Sequence, residues 1–208
     1  MRLFSYGYRA IVMLLIGALL VACANQPNEQ SQQLANKSHQ AALSQLINYQ
    51  ATGSLSYITD STKYYGRFFI NQISDNQYQL KLTTPVGTSI FSLTVTPYLA
   101  ELTDRNGKKY TDENVERLVA KLTGMNIPFK SLHNWFKGVS DNPSKDILDS
   151  KGRLSKTMLM QDNQTWLMTI TKYDTYSFAN KTIDLPAVIE LTNQQNQLKM
   201  TINNWKLN

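Results

Sequence analysis

The sequence predicts a mainly β fold with helices: an antiparallel sheet of about nine to eleven strands, curled toward a barrel, with two short helices laid over it. Three observations lead there. Over much of the chain apolar residues recur at every second position, the period of a strand with one buried face. Turn-forming residues separate these runs at close spacing, so neighbours join as hairpins and form a meander. Mid-chain the period changes to that of a helix for two short segments, then returns to two. A sheet this wide tends to curl or close.

The amino-terminal residues stand outside that domain. Arg2 and Arg9 frame the start of an apolar run from Ile11 to Val21. The run is too short for a permanent membrane span. Residues 1–22 therefore read as a cleaved secretory signal. Leu20-Val21-Ala22-Cys23 resembles the lipobox of bacterial lipoproteins. That resemblance implies acylation of the Cys23 thiol, cleavage before Cys23, and acylation of the new amino terminus. The plainer alternative is an ordinary signal followed by an incidental cysteine. Residues 23–37 then form an acylated, flexible tether, because Ala24 to Lys37 is rich in Gln, Asn and Ser. As a coil its ends lie about 20 Å apart. Position 24 is alanine, not aspartate, which in lipoprotein sorting implies the outer membrane and not retention at the inner one.

Composition excludes several classes. The 208-residue chain carries a formal charge of +6, and removal of Arg2 and Arg9 with the signal leaves +4. The basic residues are scattered, with Lys108-Lys109 the only adjacent pair, so no nucleic-acid face is expected. A weak attraction to anionic lipid headgroups is compatible with this charge. Cys23 is the only cysteine, which leaves no internal disulfide, and two histidines (His39, His133) make a poor metal set. There is no Gly-x-Ser-x-Gly elbow and no phosphate-binding loop. The expectation is a non-enzyme without metal or cofactor, apart from covalent lipid on Cys23.

Within the folded domain, residues 38–208, the elements follow in order. Ser38 to Tyr49 reads as a helix capped by Ser38, with Leu43, Leu46 and Ile47 on its face. Ala51 to Ile58 alternates, as do Tyr64 to Ile70, Tyr78 to Leu82, and Phe91 to Val95. Tyr98 to Thr103 forms a shorter strand before the Asn106-Gly107 turn. Lid helices are then expected at about 112–123 and 128–137. Thr111-Asp112-Glu113 opens the first, which presents Val115, Leu118, Val119 and Leu122 and stops at Gly124. Pro128 restarts the chain, and Leu132, Trp135 and Phe136 form the second face. Strand patterns resume at Thr157–Gln161, Trp166–Ile170, Ala187–Leu191 and Leu198–Ile202. Alternation places Tyr64, Phe68, Ile70, Tyr78, Leu80, Leu82, Phe91, Leu93, Trp166, Met168, Ile170, Leu198, Met200 and Ile202 on one inner face.

These residues resemble a known family. Lys121-Leu-Thr-Gly-Met-Asn-Ile-Pro128, with Ser131-Leu132 and Trp135-Phe-Lys-Gly138, is similar to the lid region of the LolB family, the outer-membrane receptors of lipoprotein sorting. So are Tyr64-Tyr-Gly-Arg-Phe-Phe69, Leu82-Thr-Thr-Pro-Val-Gly87, Tyr173-Asp174-Thr175, Leu185-Pro186 and Asn204-Trp205. The ordered set spans nearly the whole mature chain.

The resemblance implies an unclosed antiparallel β-barrel under an α-helical lid, with a hydrophobic cavity for acyl chains between them. It implies a monomer at the inner leaflet of the outer membrane, facing the periplasm. The partners would be the periplasmic carrier LolA, triacylated lipoprotein clients and outer-membrane lipid. It also implies that the loop of Pro85, Val86 and Gly87 touches the membrane. Families of this kind carry leucine where Val86 stands, a loss of one methylene, about 0.8 kcal/mol if fully buried in lipid. Two plainer readings stay open. The inner face is equally that of a filled barrel core in a non-catalytic envelope scaffold, and Val86 is equally a turn residue folded back on the core.

Overall fold

The computed structural model describes residues 29–161 and 164–208. The signal, Cys23 and the first part of the expected tether lie outside these residues. Eleven strands form one antiparallel sheet: β1 Tyr49–Thr59, β2 Lys63–Ser74, β3 Gln77–Thr83, β4 Ser89–Val95, β5 Ala100–Asp104, β6 Lys109–Asp112, β7 Ile147–Leu148, β8 Leu154–Gln161, β9 Gln164–Phe178, β10 Lys181–Thr192 and β11 Asn196–Leu207. Their spatial order is β6-β5-β4-β3-β2-β1-β11-β10-β9-β8-β7. The first and last strands meet in the middle, where β1 pairs with β11, and β6 and β7 are left as the sheet's edges. The barrel is therefore unclosed, as expected from the resemblance.

The register explains the single inner face. Phe68 lies opposite Leu82 and Ile70 opposite Leu80, while Leu80 and Leu82 face Leu93 and Phe91. On the other wing Ile189 lies between Ile170 and Met200, and Leu191 between Met168 and Leu198. All of these are buried. Gly53 sits where the two wings join, at a register shift between β1 and β11. A Cβ there would come within 2.1 Å of the Thr201 carbonyl oxygen and 2.7 Å of the Phe68 ring, so only glycine lets Phe68 lie across β1.

Several element boundaries differ from the expectations. The first helix, α1, runs Glu29–Gln45 and begins nine residues before Ser38. The segment 29–37 is thus helix and not flexible tether. Docking explains the difference: the Asn36 amide donates to the Gly152 carbonyl at 2.9 Å, and His39 Nε2 meets the Asp184 carbonyl oxygen at 2.8 Å. Gly152, at φ 75°, leaves room for the helix backbone, since a Cβ would lie 2.6 Å from the Gln32 carbonyl oxygen. Leu43 and Leu46 are fully buried as expected, but Ile47 turns outward and is 47% exposed. Strand β5 begins at Ala100, because Thr96 to Leu99 closes a hydrogen-bonded turn.

The lid also differs in detail. Helix α2 spans Val115–Thr123, capped by Asn114, whose side chain accepts from the Arg117 N–H at 2.8 Å. Thr111 and Asp112 belong to β6 instead, and Asp112 holds the Arg117 guanidinium with two hydrogen bonds. The second expected helix is a 3-10 turn at Phe129–Ser131 followed by a single turn, α3, at Leu132–Trp135. Pro128 cannot donate, and its carbonyl is instead taken by the Trp135 indole N–H at 3.0 Å.

Candidate functional site

Strand alternation delivers one continuous apolar wall, and the α2–α3 segment lies against it. Of the fourteen expected inner-face residues, thirteen are buried; Tyr64, at the start of β2, is half-buried. On the lid, Val115, Leu118, Val119, Leu132, Trp135 and Phe136 are buried, and Leu122 is half-buried against the same cluster. Phe136 is the centre of the contact. Its ring lies 4.9 Å from that of Trp205, 6.0 Å from Phe68 and 6.3 Å from Tyr49. Lid and wall thus touch directly, and in this closed arrangement the chain's own side chains fill the space between them.

Few polar bonds hold the lid down. At the end of the sheet near the β1–β2 turn, the Tyr57 hydroxyl accepts from the Asn126 N–H at 3.0 Å and donates to Asn196 at 2.7 Å. Beside it the Tyr64 hydroxyl donates to the Thr123 carbonyl at 3.2 Å. At the opposite end Lys137 donates to the Leu46 carbonyl at 3.0 Å. Burial pulls the Lys137 ammonium below its usual range, with Asp75 acting the other way. Between these latches the contact is almost wholly apolar. Two buried polar atoms on the wall, Gln72 Oε1 and the Tyr78 hydroxyl, have no partner. Gln72 and Tyr78 are directly opposed across β2 and β3.

Tyr49, Tyr57 and Trp205 complete the site; Tyr49 and Tyr57 were not legible as part of it, and Trp205 entered only through the resemblance. Tyr49 and Trp205 precede or follow the clearly alternating runs, and nothing near Tyr57 in sequence points to Asn126 or Asn196. The Trp205 indole N–H reaches the Pro186 carbonyl at 3.1 Å, at a register shift in β10 where proline is tolerated.

The Pro85-Val86-Gly87 loop lies apart from this wall, at the tip of the β3–β4 hairpin. The turn is closed by the Gly87 N–H to the Thr84 carbonyl at 2.9 Å and by the Thr88 N–H to the Thr84 hydroxyl at 3.1 Å. Val86 is 89% exposed. It does not fold back onto the core.

The α2–α3 segment and the inner wall have counterparts in known proteins. The family described as outer membrane lipoprotein LolB matches residues 47–205. The chain is 32% identical over 202 residues to an outer-membrane lipoprotein LolB of Yersinia pestis strain Pestoides F, covering 97% of this chain and 96% of that one. It is 31% identical over 202 residues to that of Yersinia pseudotuberculosis serotype O:1b, with the same coverage. Among solved structures, a LolA superfamily protein from Nitrosomonas europaea shares the fold at a TM-score of 0.53 with 8% identity, over 86% of this chain and 94% of that one.

Proposed function

The chain belongs to the LolB family of outer-membrane lipoproteins of the sorting pathway, a non-catalytic family, and on that premise we propose that it receives triacylated lipoproteins from the periplasmic carrier LolA and inserts them into the outer membrane. In this reading Cys23 carries the lipid anchor, and the domain faces the periplasm from the inner leaflet. The apolar wall and the lid face are the acyl-binding surfaces.

One observation carries the proposal. The contact between lid and wall is apolar on both sides and is held by few polar bonds near its two ends. A surface of this kind accepts an acyl chain when the lid lifts, because the chain replaces one apolar contact with another. Moving three acyl chains through water instead would cost tens of kcal/mol, at about 0.8 kcal/mol per methylene. Transfer from one apolar surface to another avoids that barrier, and a modest difference in affinity sets its direction without nucleotide.

A second reading has its own observation. The wall is filled by Phe136, Trp135 and their neighbours, as in an ordinary core. An envelope scaffold would keep it so.

A transfer assay separates the two. The mature chain carrying Cys23→Ala is mixed with a carrier loaded with a triacylated lipoprotein, then with liposomes. The receptor reading expects the client to move to this protein without nucleotide and then into the liposomes. A client that stays on the carrier, while the protein remains folded, favours the scaffold. Mass spectrometry of the purified protein gives an independent readout, since only the receptor reading expects co-purifying acyl lipid.

A further inference from the structure

The exposed valine does not stand alone at its end of the sheet. The antiparallel meander puts the β1–β2 turn, the β3–β4 turn with Val86, and the β5–β6 turn at the same end. Thr83 pairs with Arg67 four residues inside the β1–β2 turn, whereas Phe91, two residues inside the β3–β4 turn, pairs with Asp104 at the β5–β6 turn. Each turn is set back from the one before it. That is the stagger of tilted strands in a curled sheet, so the turns share one rim.

The β5–β6 turn on that rim is Arg105-Asn106-Gly107-Lys108. All four residues are exposed. The Asp104 carboxylate accepts from the N–H groups of Asn106 at 2.8 Å and Lys108 at 3.0 Å, so the turn is built with its acid engaged in its own backbone. Neither Arg105 nor Lys108 pairs with a carboxylate among the described residues. Lys108 rests over the Tyr110 ring at 5.0 Å. The two hairpins are centred two strand spacings apart, about 10 Å. An apolar tip with cations unpaired by any carboxylate about 10 Å to one side suits a bilayer surface, where acyl carbon lies beneath a layer of phosphate.

We infer that Arg105 and Lys108 form, with Val86, a docking surface for anionic phospholipid headgroups. The inference rests on the receptor reading, in which Val86 meets the membrane, and adds a second contact to it. Val86 supplies depth. The β5–β6 turn supplies attraction before insertion and fixes which way the rim faces. Charge complementarity selects lipid here: a protein partner has no need of a bare valine that enters no pocket.

The test is vesicle binding by the mature chain with Cys23→Ala, using phosphatidylcholine vesicles with and without a quarter phosphatidylglycerol, at low and physiological salt. The unaltered chain is expected to prefer the anionic vesicles, and salt should weaken the preference. Arg105→Gln with Lys108→Gln should lower affinity for anionic vesicles about thirtyfold at low salt, which corresponds to about 1 kcal/mol per cation. Lys181→Gln with Lys206→Gln removes the same charge at the opposite end and should lose far less. Equal losses in the two double variants overturn the inference in favour of net charge. Unchanged vesicle binding by the Arg105/Lys108 variant also overturns it, and slowed uptake from the carrier in that variant would assign the turn to a protein partner. The receptor reading is scored separately, by acceptance of client in the absence of vesicles, which neither double variant should alter.

Discussion

Val86 and Tyr78 make opposite claims on the solvent. Val86 is an apolar side chain held in water by a well-bonded turn, and its exposure of 89% means that its removal costs the fold nothing. Val86→Glu is therefore expected to leave the melting temperature within about a degree of the parent while blocking delivery from this protein into liposomes. Normal delivery by that variant would show the loop to be an ordinary turn. Tyr78 is a polar group held away from water without a partner, and burial pushes its ionisation far upward. Losing an unsatisfied hydroxyl costs little, so Tyr78→Phe should be neutral or stabilise by about 1 kcal/mol in denaturant titration. A loss above about 1 kcal/mol would mean that the hydroxyl has a partner in solution.

At the scale of elements, the lid is the part designed to move if the wall receives acyl chains. Removing both rim hydroxyls, as Tyr57→Phe with Tyr64→Phe, leaves the apolar contact intact and cuts the bonds to Asn126, Asn196 and Thr123. Amide exchange in residues 115–139 should rise about tenfold, the effect of roughly 1.4 kcal/mol on local opening, while exchange in β3 and β4 stays constant. At the other end, Arg153 bonds both Asp149 and Asp184 and so ties the β7–β8 turn to β10. Burial alone would raise these two carboxyls, yet the bonds they accept, from Arg153 and from Thr175 to Asp184, hold both below the usual range. Folded values below the unfolded ones near 4 make the contribution full above that pH and lost as pH falls through the folded values. Arg153→Met should therefore lower stability by about 2 kcal/mol at pH 7 and lose less than the parent between pH 5 and 3, as read by thermal melts.

What was legible depended on where each element's instructions lie. The period-two runs carry theirs locally: Phe68, Ile70, Leu80 and Leu82 alternate with polar residues, and the buried face follows from the pleat. The lid faces were equally legible, because Leu118, Val119 and Leu122 repeat at helical spacing. The segment Glu29 to Lys37 was not. It has little apolar surface of its own, and it becomes helix because Asn36 and the small Gly152, distant by 116 residues, meet. The Tyr57 latch was hidden for the same reason, since its partners lie 69 and 139 residues away. The one-turn α3 reflects a competition local sequence cannot settle, in which Trp135 bonds the Pro128 carbonyl and tightens the segment below helical length.

For the whole molecule, the position of α1 sets how far the domain can stray. The helix crosses the end of the sheet opposite Val86, from the β7–β8 turn past the β9–β10 hairpin to the start of β1. Along the register Thr83, at the base of the Val86 turn, is level with Ser54, about 17 Å from Tyr49, and the turn itself reaches further. If Cys23 is the anchored residue, only Ala24 to Asn28 join it to the helix, a span of about 20 Å at most. A domain standing on its Val86 rim would then leave that segment close to fully drawn out. The 17 residues of α1 cover about 25 Å coiled and nearly 60 Å drawn out. The helix is thus a reel of stored slack, and its grip on Gly152 and Asp184 acts as the brake. Acylated protein on liposomes should exchange its α1 amides faster than the unacylated chain in solution. Equal protection would mean that the barrel lies on its side, with both ends against the lipid.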